Sequence, residues 1–172
     1  MTGMFEQLRA VWVERRNAVA RQFKRQLPFG DYIVDRWEKV ASLGFGDGAS
    51  VYDSAHVFGD VAVGARTWIG PFCILDGSGG LSIGRNCSIS AGVQIYSHDT
   101  VAWAVSGGTA DYEYAPTKIG DSCYIGPNSI IAKGVTIGDG CVIGAGSLVL
   151  SDIASGQKAW GSPATAKGPV DV

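Results

Sequence analysis

The stretch Ile119–Leu150, IGDSCYIGPNSIIAKGVTIGDGCVIGAGSLVL, repeats every six residues. An aliphatic side chain opens each unit at Ile119, Ile125, Ile131, Ile137, Ile143 and Val149. The fifth place of each unit holds Cys123, Ser129, Val135, Cys141, Ser147 and Ile153. A short fixed period signals stacked coils, because each unit can bury its apolar side chain only against its neighbours. A six-residue period with small inward corners predicts a parallel β-helix.

Outward from this stretch, the same phase runs back through Val51, Val57, Val63, Ile69 and Leu75. The segment DGSGGLS then inserts two residues, and the phase resumes at Ile83, Ile89 and Ile95. A second, longer departure spans about Asp99 to Lys118. Counting units gives about fifteen hexapeptides, or about five three-sided coils. The expected organisation is an N-terminal helical extension over 1–44, the β-helix over 45–154 with a long loop at 99–118, and a tail over 155–172.

In residues 3–43, Phe5, Leu8, Trp12, Val19 and Phe23 recur at helical spacing, which predicts a helix with one apolar face. Pro28 and Gly30 break it. Asp31 is expected to cap a second helix carrying Tyr32, Ile33, Trp37 and Val40, which stops by Gly44. A β-helix exposes unpaired strand edges at its ends, so a helical cap has a physical task. Residues 1–28 hold six Arg/Lys and two Asp/Glu, a net of +4. Such a helix can pack on the coils or a neighbouring subunit, or make weak peripheral contact with an anionic membrane.

With 172 residues and a formal charge of −2, the chain reads as one domain and offers no case for nucleic-acid binding. No apolar run reaches the roughly 18 residues of a membrane span, and the N-terminus lacks a signal-type apolar core. A cytoplasmic location is the expectation. Cys73, Cys87, Cys123 and Cys141 all fall on the fifth place of a unit. No CxxC pair or Cys/His cluster suggests zinc. Three units per coil would stack Cys87, Cys123 and Cys141 in one column, about 4.8 Å apart. Reduced thiols serving as small apolar side chains fit that column, and spacing alone also permits a disulfide.

The chemistry is sought where the repeat breaks, because long loops in compact repeats are usually functional. His98, in YSHDT, sits at the mouth of the long loop, where a neutral imidazole could accept a proton. The other histidine, His56, lies in an ordinary repeat and reads as surface. Asp76 lies on the same side of the triangle one coil earlier. As an outward carboxylate it could orient an acceptor hydroxyl or the imidazole, or it could only shape the glycine turn beside it. Asp99 starts the loop, and Asn86, Asp121 and Asp139 occupy corners as turn-formers. The loop itself, TVAWAVSGGTADYEYAPTK, offers Gly107 and Gly108 for mobility and Trp103, Tyr112 and Tyr114 for contact.

From about Val51 to Gly168 the chain resembles the hexapeptide-repeat acyltransferases, most of all the galactoside, maltose and polysaccharide O-acetyltransferase group. The matching pieces are the repeats, SHD before a long loop, the run from APTKIGDSC through GAGSLV, and the closing WGSPATAKG. The resemblance implies a left-handed coil, a hand that ordinary crossover rules would not give. It implies that His98 is the catalytic base and that Tyr124 lines the acyl-donor and acceptor site, with Asp76 the acceptor-side candidate from its position alone. It places Gly126, Gly144, Ala145, Ser162, Pro163 and Lys167 against acetyl-coenzyme A, with Gly161 in the closing turn and no metal.

Three departures stand out. Leu150-Ser151 replaces a Thr-Lys pair that contacts coenzyme phosphates in the group, and Thr165 stands where a basic residue is expected, with Lys167 as substitute. Pro127, beside Gly126, cannot donate a backbone hydrogen bond to the pantetheine arm. The implied activity is acetyl transfer from acetyl-coenzyme A to a hydroxyl of a sugar or polysaccharide precursor, in a homotrimer with sites between subunits. N-acylation of an amino sugar is the alternative on the same scaffold. A non-catalytic β-helix scaffold is the alternative of another class. A metal-dependent anhydrase on this scaffold would need three histidines, and the chain has two.

Overall fold

A computed structural model describes residues 2–171; Met1 and Val172, the outermost residues of the two expected terminal segments, lie outside them. The repeat folds as a parallel β-solenoid. Its first face stacks Ser50–Val51, Trp68–Ile69, Ser88–Ile89, Tyr124–Ile125, Val142–Ile143 and Gln157–Gly161 in parallel register. The second face aligns Ile74, Gln94, Ile130 and Leu148. The third aligns Ile83, Ile119 and Ile137, ending at a bridge to Ile153. In the first two coils the strands His56–Val63 and Ile74–Ile83 run unbroken from the second face into the third, with a register shift between Gly59 and Val61.

Among the described residues the first face has six parallel strands, one more than the hexapeptide count suggests. The extra strand comes from the tail: Gln157–Gly161 continues the face with Ala159 in the aliphatic slot, then folds back antiparallel on Ala164–Pro169. The opening aliphatics form the core, with Ile69, Ile89, Ile95, Ile125, Ile131 and Ile143 fully buried.

Where the fifth place holds Thr, Ser or Cys, its side chain stitches one coil to the next, while Val93, Val135 and Ile153 fill it with apolar bulk. Thr67 Oγ1 donates to the Gly84 carbonyl at 2.7 Å and Ser129 Oγ to the Gly144 carbonyl at 2.9 Å. The thiols do the same work: Cys87 meets the Gly120 carbonyl, Cys123 that of Gly138 and Cys141 that of Ala154, each at 3.1 Å. All four cysteines are free and buried, so the disulfide that spacing permitted is absent. Burial pushes the Cys73 thiol up to about 11. At the corner joining the third and first faces, acidic side chains cap backbone donors of the coil before. Asp121 accepts from the Arg85 N–H at 2.9 Å and Asp139 from the Asp121 N–H at 2.7 Å. These are the turn roles their position suggested.

The N-terminal segment supplies α1 (Thr2–Phe23), α2 (Gly30–Ile33) and α3 (Arg36–Leu43). Helix α3 closes the open end of the solenoid. Val40 enters the core beside Phe45, and Lys39 donates to the carbonyls of Tyr52, Asp53 and Ala55 at 3.2, 2.8 and 2.8 Å. The expected cap is displaced by four residues: Asp35, not Asp31, accepts from the Trp37 N–H at 2.8 Å. Asp31 instead ties the extension to the first coil through the Asp53 N–H at 2.5 Å and the Ser54 hydroxyl at 3.3 Å. Along α1, Trp12 and Val19 are half-buried while Phe5 and Leu8 are exposed.

Corner glycines are demanded by this stacking. A Cβ on Gly84 would lie 2.7 Å from both the Asp121 nitrogen and the Gly120 carbonyl carbon, and backbone cannot yield as a side chain tip can. The variant Gly84→Ala is expected to lose about 1–3 kcal/mol of stability, read as a lower urea midpoint. An unchanged midpoint would show that adjacent coils separate without cost.

Candidate active site

The DGSGG insertion builds the site. Asp76, in the strand Ile74–Ile83, is buried, 2 % exposed, and four donors surround it. Its Oδ1 accepts from the Ser78 N–H at 3.0 Å and the Ser78 hydroxyl at 2.6 Å. Its Oδ2 accepts from the Ser97 N–H at 3.0 Å and lies 2.5 Å from His98 Nδ1. Gly79 closes the stitch by donating its N–H to Ser97 Oγ at 2.8 Å. A Cβ on Gly79 would lie 2.3 Å from the Ser97 carbonyl oxygen, so the glycine lets the insertion lie on the histidine's strand.

Burial alone would raise the Asp76 pKa. The hydrogen bonds from the Ser78 hydroxyl, the Ser97 N–H, His98 and the Ser78 N–H outweigh it and hold the carboxyl well below the usual carboxylate range. An ionised Asp76 can only accept, so His98 presents Nδ1–H to it, which in the neutral ring puts the lone pair on Nε2. Of the roles open to Asp76 from its position, contact with the imidazole is the one this geometry favours over contact with an acceptor. Both oxygens of Asp76 are committed to protein donors, and the group orients the imidazole.

His98 is partly open, its side chain 30 % exposed. It begins the short strand His98–Asp99, which pairs antiparallel with Glu113–Tyr114 across the loop, and its ring stacks on Tyr114 at 5.8 Å between centroids. Between these strands lie α4 (Val101–Val105) and the Gly107-Gly108 turn. Trp103 and Tyr112 meet edge to face at 5.8 Å within the loop. A cleft of about 520 Å³ opens beside His98, lined by Tyr96, Thr100, Val101, Ile130, Ala132 and Lys133 among others. Lys133 spans Asp99 at 3.0 Å and Glu113.

The remaining site residues gather elsewhere. Gly126 and Gly144 stack at the corner between the first and second faces, where added Cβ atoms would lie 2.5 Å from the Ala145 nitrogen and 2.7 Å from Trp160 Cβ. Their N–H groups serve the ladder, donating to the Ile143 and Ala159 carbonyls at 2.8 and 2.9 Å. Ser162 and Pro163 form the turn of the closing hairpin, joined by a cis peptide bond. The Gly161 N–H reaches Ser147 Oγ at 3.4 Å. Lys167 lies over the Trp160 ring with its Nζ 5.9 Å from the centroid.

Gly126, Gly144, Ala145, Trp160 and Lys167 thus form one ridge, while His98 stands at the other end of the second face. Tyr124, 42 % exposed on the first face, does not line the His98 cleft. His56 is exposed, as its place in the repeat suggested. Sequence reasoning missed Ser78, Ser97 and Lys133. The spacing Asp76-x-Ser78, an Asx-type turn signal, and the position of Ser97 directly before His98 were the available clues. Among the described residues no group of three or more His, Cys, Asp or Glu could hold a metal ion. No helix among them is long and apolar enough to cross a membrane.

Comparison with known proteins agrees with this architecture. The families "Bacterial transferase hexapeptide (six repeats)" and "Hexapeptide repeat of succinyl-transferase" match residues 116–151 and 60–97. Nodulation protein L of Rhizobium meliloti (strain 1021) is 32% identical over 162 residues, covering 91% of this chain and 83% of that protein.

Three solved structures are similar. The hexapeptide-repeat acetyltransferase VCA0836 of Vibrio cholerae O1 biovar eltor, complexed with acetyl coenzyme A, has a TM-score of 0.70 at 22% identity, covering 97% of this chain and 89% of that one. A maltose O-acetyltransferase of Clostridium difficile 630 has a TM-score of 0.58 at 26% identity, covering 94% and 89%. AntD, an N-acyltransferase of Bacillus cereus in complex with dTDP and 3-hydroxybutyryl-CoA, has a TM-score of 0.65 at 18% identity, covering 78% and 88%. The chain belongs to the hexapeptide-repeat acyltransferase family, with Nodulation protein L as a relative, and its solenoid is the left-handed β-helix of that family.

The Asp76 cradle carries a pH signature. A carboxyl whose folded pKa is depressed adds stability above its unfolded pKa of about 3.9, and that contribution fades as pH falls through the folded value. Asp76→Asn sets an NH2 against donors, so it is expected to be less stable than wild type at pH 7. The gap should begin to narrow as pH falls below about 4, the unfolded pKa, and close only as pH falls through the depressed folded value. Urea midpoints across pH check this; a gap independent of pH would mean that the charge of Asp76 contributes nothing.

Proposed function

We propose that this chain transfers an acetyl group from acetyl-coenzyme A to a hydroxyl of a sugar or oligosaccharide, with His98 as general base. The observation that carries the reading is the 2.5 Å contact between the buried Asp76 carboxylate and His98 Nδ1 at the mouth of a cleft. This arrangement leaves Nε2 free to take the acceptor proton as its oxygen attacks the thioester carbonyl. The tetrahedral adduct then collapses, the C–S bond breaks, and the proton passes from Nε2 to the departing thiolate. Ionised Asp76 stabilises the imidazolium formed between the two steps. Direct transfer needs no enzyme nucleophile, and the buried cysteines are not placed to act as one.

The donor would lie along the Gly126–Gly144–Ala145 ridge. The corner there is kept narrow by glycine, Ser162 and Pro163 lie at its end, and Lys167 supplies a positive charge for phosphate. In one chain that ridge and His98 stand at opposite ends of the second face. A homotrimer in which each subunit's His98 faces the next subunit's ridge, with Tyr124 beside it, would bring them together. The acetyl-coenzyme A bound to the Vibrio cholerae protein and the hydroxyl acceptor named for the Clostridium difficile enzyme support donor and acceptor classes.

Thiol release from acetyl-coenzyme A, measured with a panel of sugars, oligosaccharides and amino sugars, is the direct test. Release is expected with hydroxyl acceptors, and His98→Ala should lower kcat by about 10²–10⁴-fold while the fold is retained. Transfer confined to amino sugars would replace the O-acetyl reading with N-acylation. A fully active His98→Ala, or no release with any acceptor, would overturn the proposal.

A further inference from the structure

Asp99 and Glu113 are direct cross-strand partners at the mouth of the long loop. Like charges in that relation repel. Lys133, in the turn that follows the strand Ile130–Ile131, reaches between them, with its Nζ 3.0 Å from Asp99 Oδ2 and in contact with Glu113 Oε2. The neighbouring cross-strand pair in the same short ladder is His98 with Tyr114, whose rings stack. The ladder that holds the imidazole against the tyrosine ring is therefore the one that two facing carboxylates would push apart and one lysine holds together.

We propose that Lys133 is a positioning residue: by neutralising the facing carboxylates Asp99 and Glu113 it latches the base of loop 99–118 and sets Tyr114 against His98. Lys133 keeps only 21 % of its side chain exposed, against 36 % for Asp99 and 58 % for Glu113, so it is the anchored member of the three. Its pKa is raised by Glu113 and then Asp99, and that of Asp99 is lowered by the Val101 N–H and then Lys133, as mutual stabilisation requires. Exposed ion pairs add little to global stability. The effect belongs to the order of the loop and to turnover, because small displacements of reacting groups are costly in rate.

Lys133 also lines the His98 cleft, so a direct contact with a bound anionic group is the rival role. Neutralising one carboxylate separates the two. For Lys133→Gln, amide hydrogens of loop 99–118 are expected to exchange faster than in wild type. Its kcat should fall about ten- to a hundredfold, with KM for acetyl-coenzyme A near the wild-type value. Glu113→Gln should stay close to wild type, because Lys133 still neutralises Asp99. The double variant K133Q/E113Q should recover most of both the exchange protection and the turnover.

A double variant as impaired as Lys133→Gln, or a Lys133→Gln loop that exchanges like wild type, would overturn the latch. The turnover arm rests on the reading of His98 as base. If no variant and no wild type turns over any sugar, that reading fails, while the exchange measurement still decides the role of Lys133.

Discussion

The solenoid depends on what each coil does with the carbonyls at its corners. A chain that turns every six residues leaves peptide groups at the turns that must stay bonded although the ladder changes direction there. Here the fifth-place side chain of one coil donates to the corner carbonyl of the next: Thr67 to Gly84, Cys87 to Gly120, Cys123 to Gly138 and Ser129 to Gly144. A small donor suits the slot, so Thr, Cys and Ser interchange there, while Val93, Val135 and Ile153 fill the same place with buried apolar side chains. Unbonded buried carbonyls would be expensive. Corner glycine follows from the same closeness, since the donors reach only if the backbones nearly touch.

This constraint explains which parts of the fold were legible in the sequence. Aliphatic phase, fifth-place donors and corner glycines all repeat, so every coil that obeys them could be read, including the two-residue slip at DGSGGLS. The tail was not legible as a strand because Gln157–Gly161 carries Ala159 where the repeat has Ile or Val; its place is set by pairing with Val142–Ile143 and by its own hairpin. The helix cap was misplaced for a different reason. Asp31 and Asp35 are equally good caps locally, and only the nearness of Asp53 and Ser54 in the folded chain draws Asp31 away.

The site was legible as a location more than as an arrangement. His98 stands out because the repeat stops there, and Asp76 because an insertion follows it. What the sequence could not show is that Asp76 is buried with both oxygens bonded, since its partners are Ser78 beside it and Ser97, 21 positions along the chain. The corner glycines carry the opposite ambiguity. Gly126 and Gly144 match a donor-binding pattern, yet coil stacking alone already forbids a side chain at either. Their presence is thus weak support for a cofactor, and the stronger support is the ridge they form with Trp160 and Lys167.

Three acidic groups lie near His98, and their surroundings divide the labour. Asp76 is buried and its two oxygens receive four donors, so it carries a fixed negative charge on the Nδ1 side of the ring. Asp99 and Glu113 are more exposed and share Lys133, so their charge is partly cancelled where it would otherwise force the loop open. Exchanging these roles would fail on both counts. An exposed carboxylate beside Nδ1 would be screened by water and free to turn away, and a buried pair at the loop base would carry a desolvation cost that one lysine would struggle to offset. The placement of burial, rather than the number of carboxylates, is what makes one of them an orienting group and the other two part of a latch.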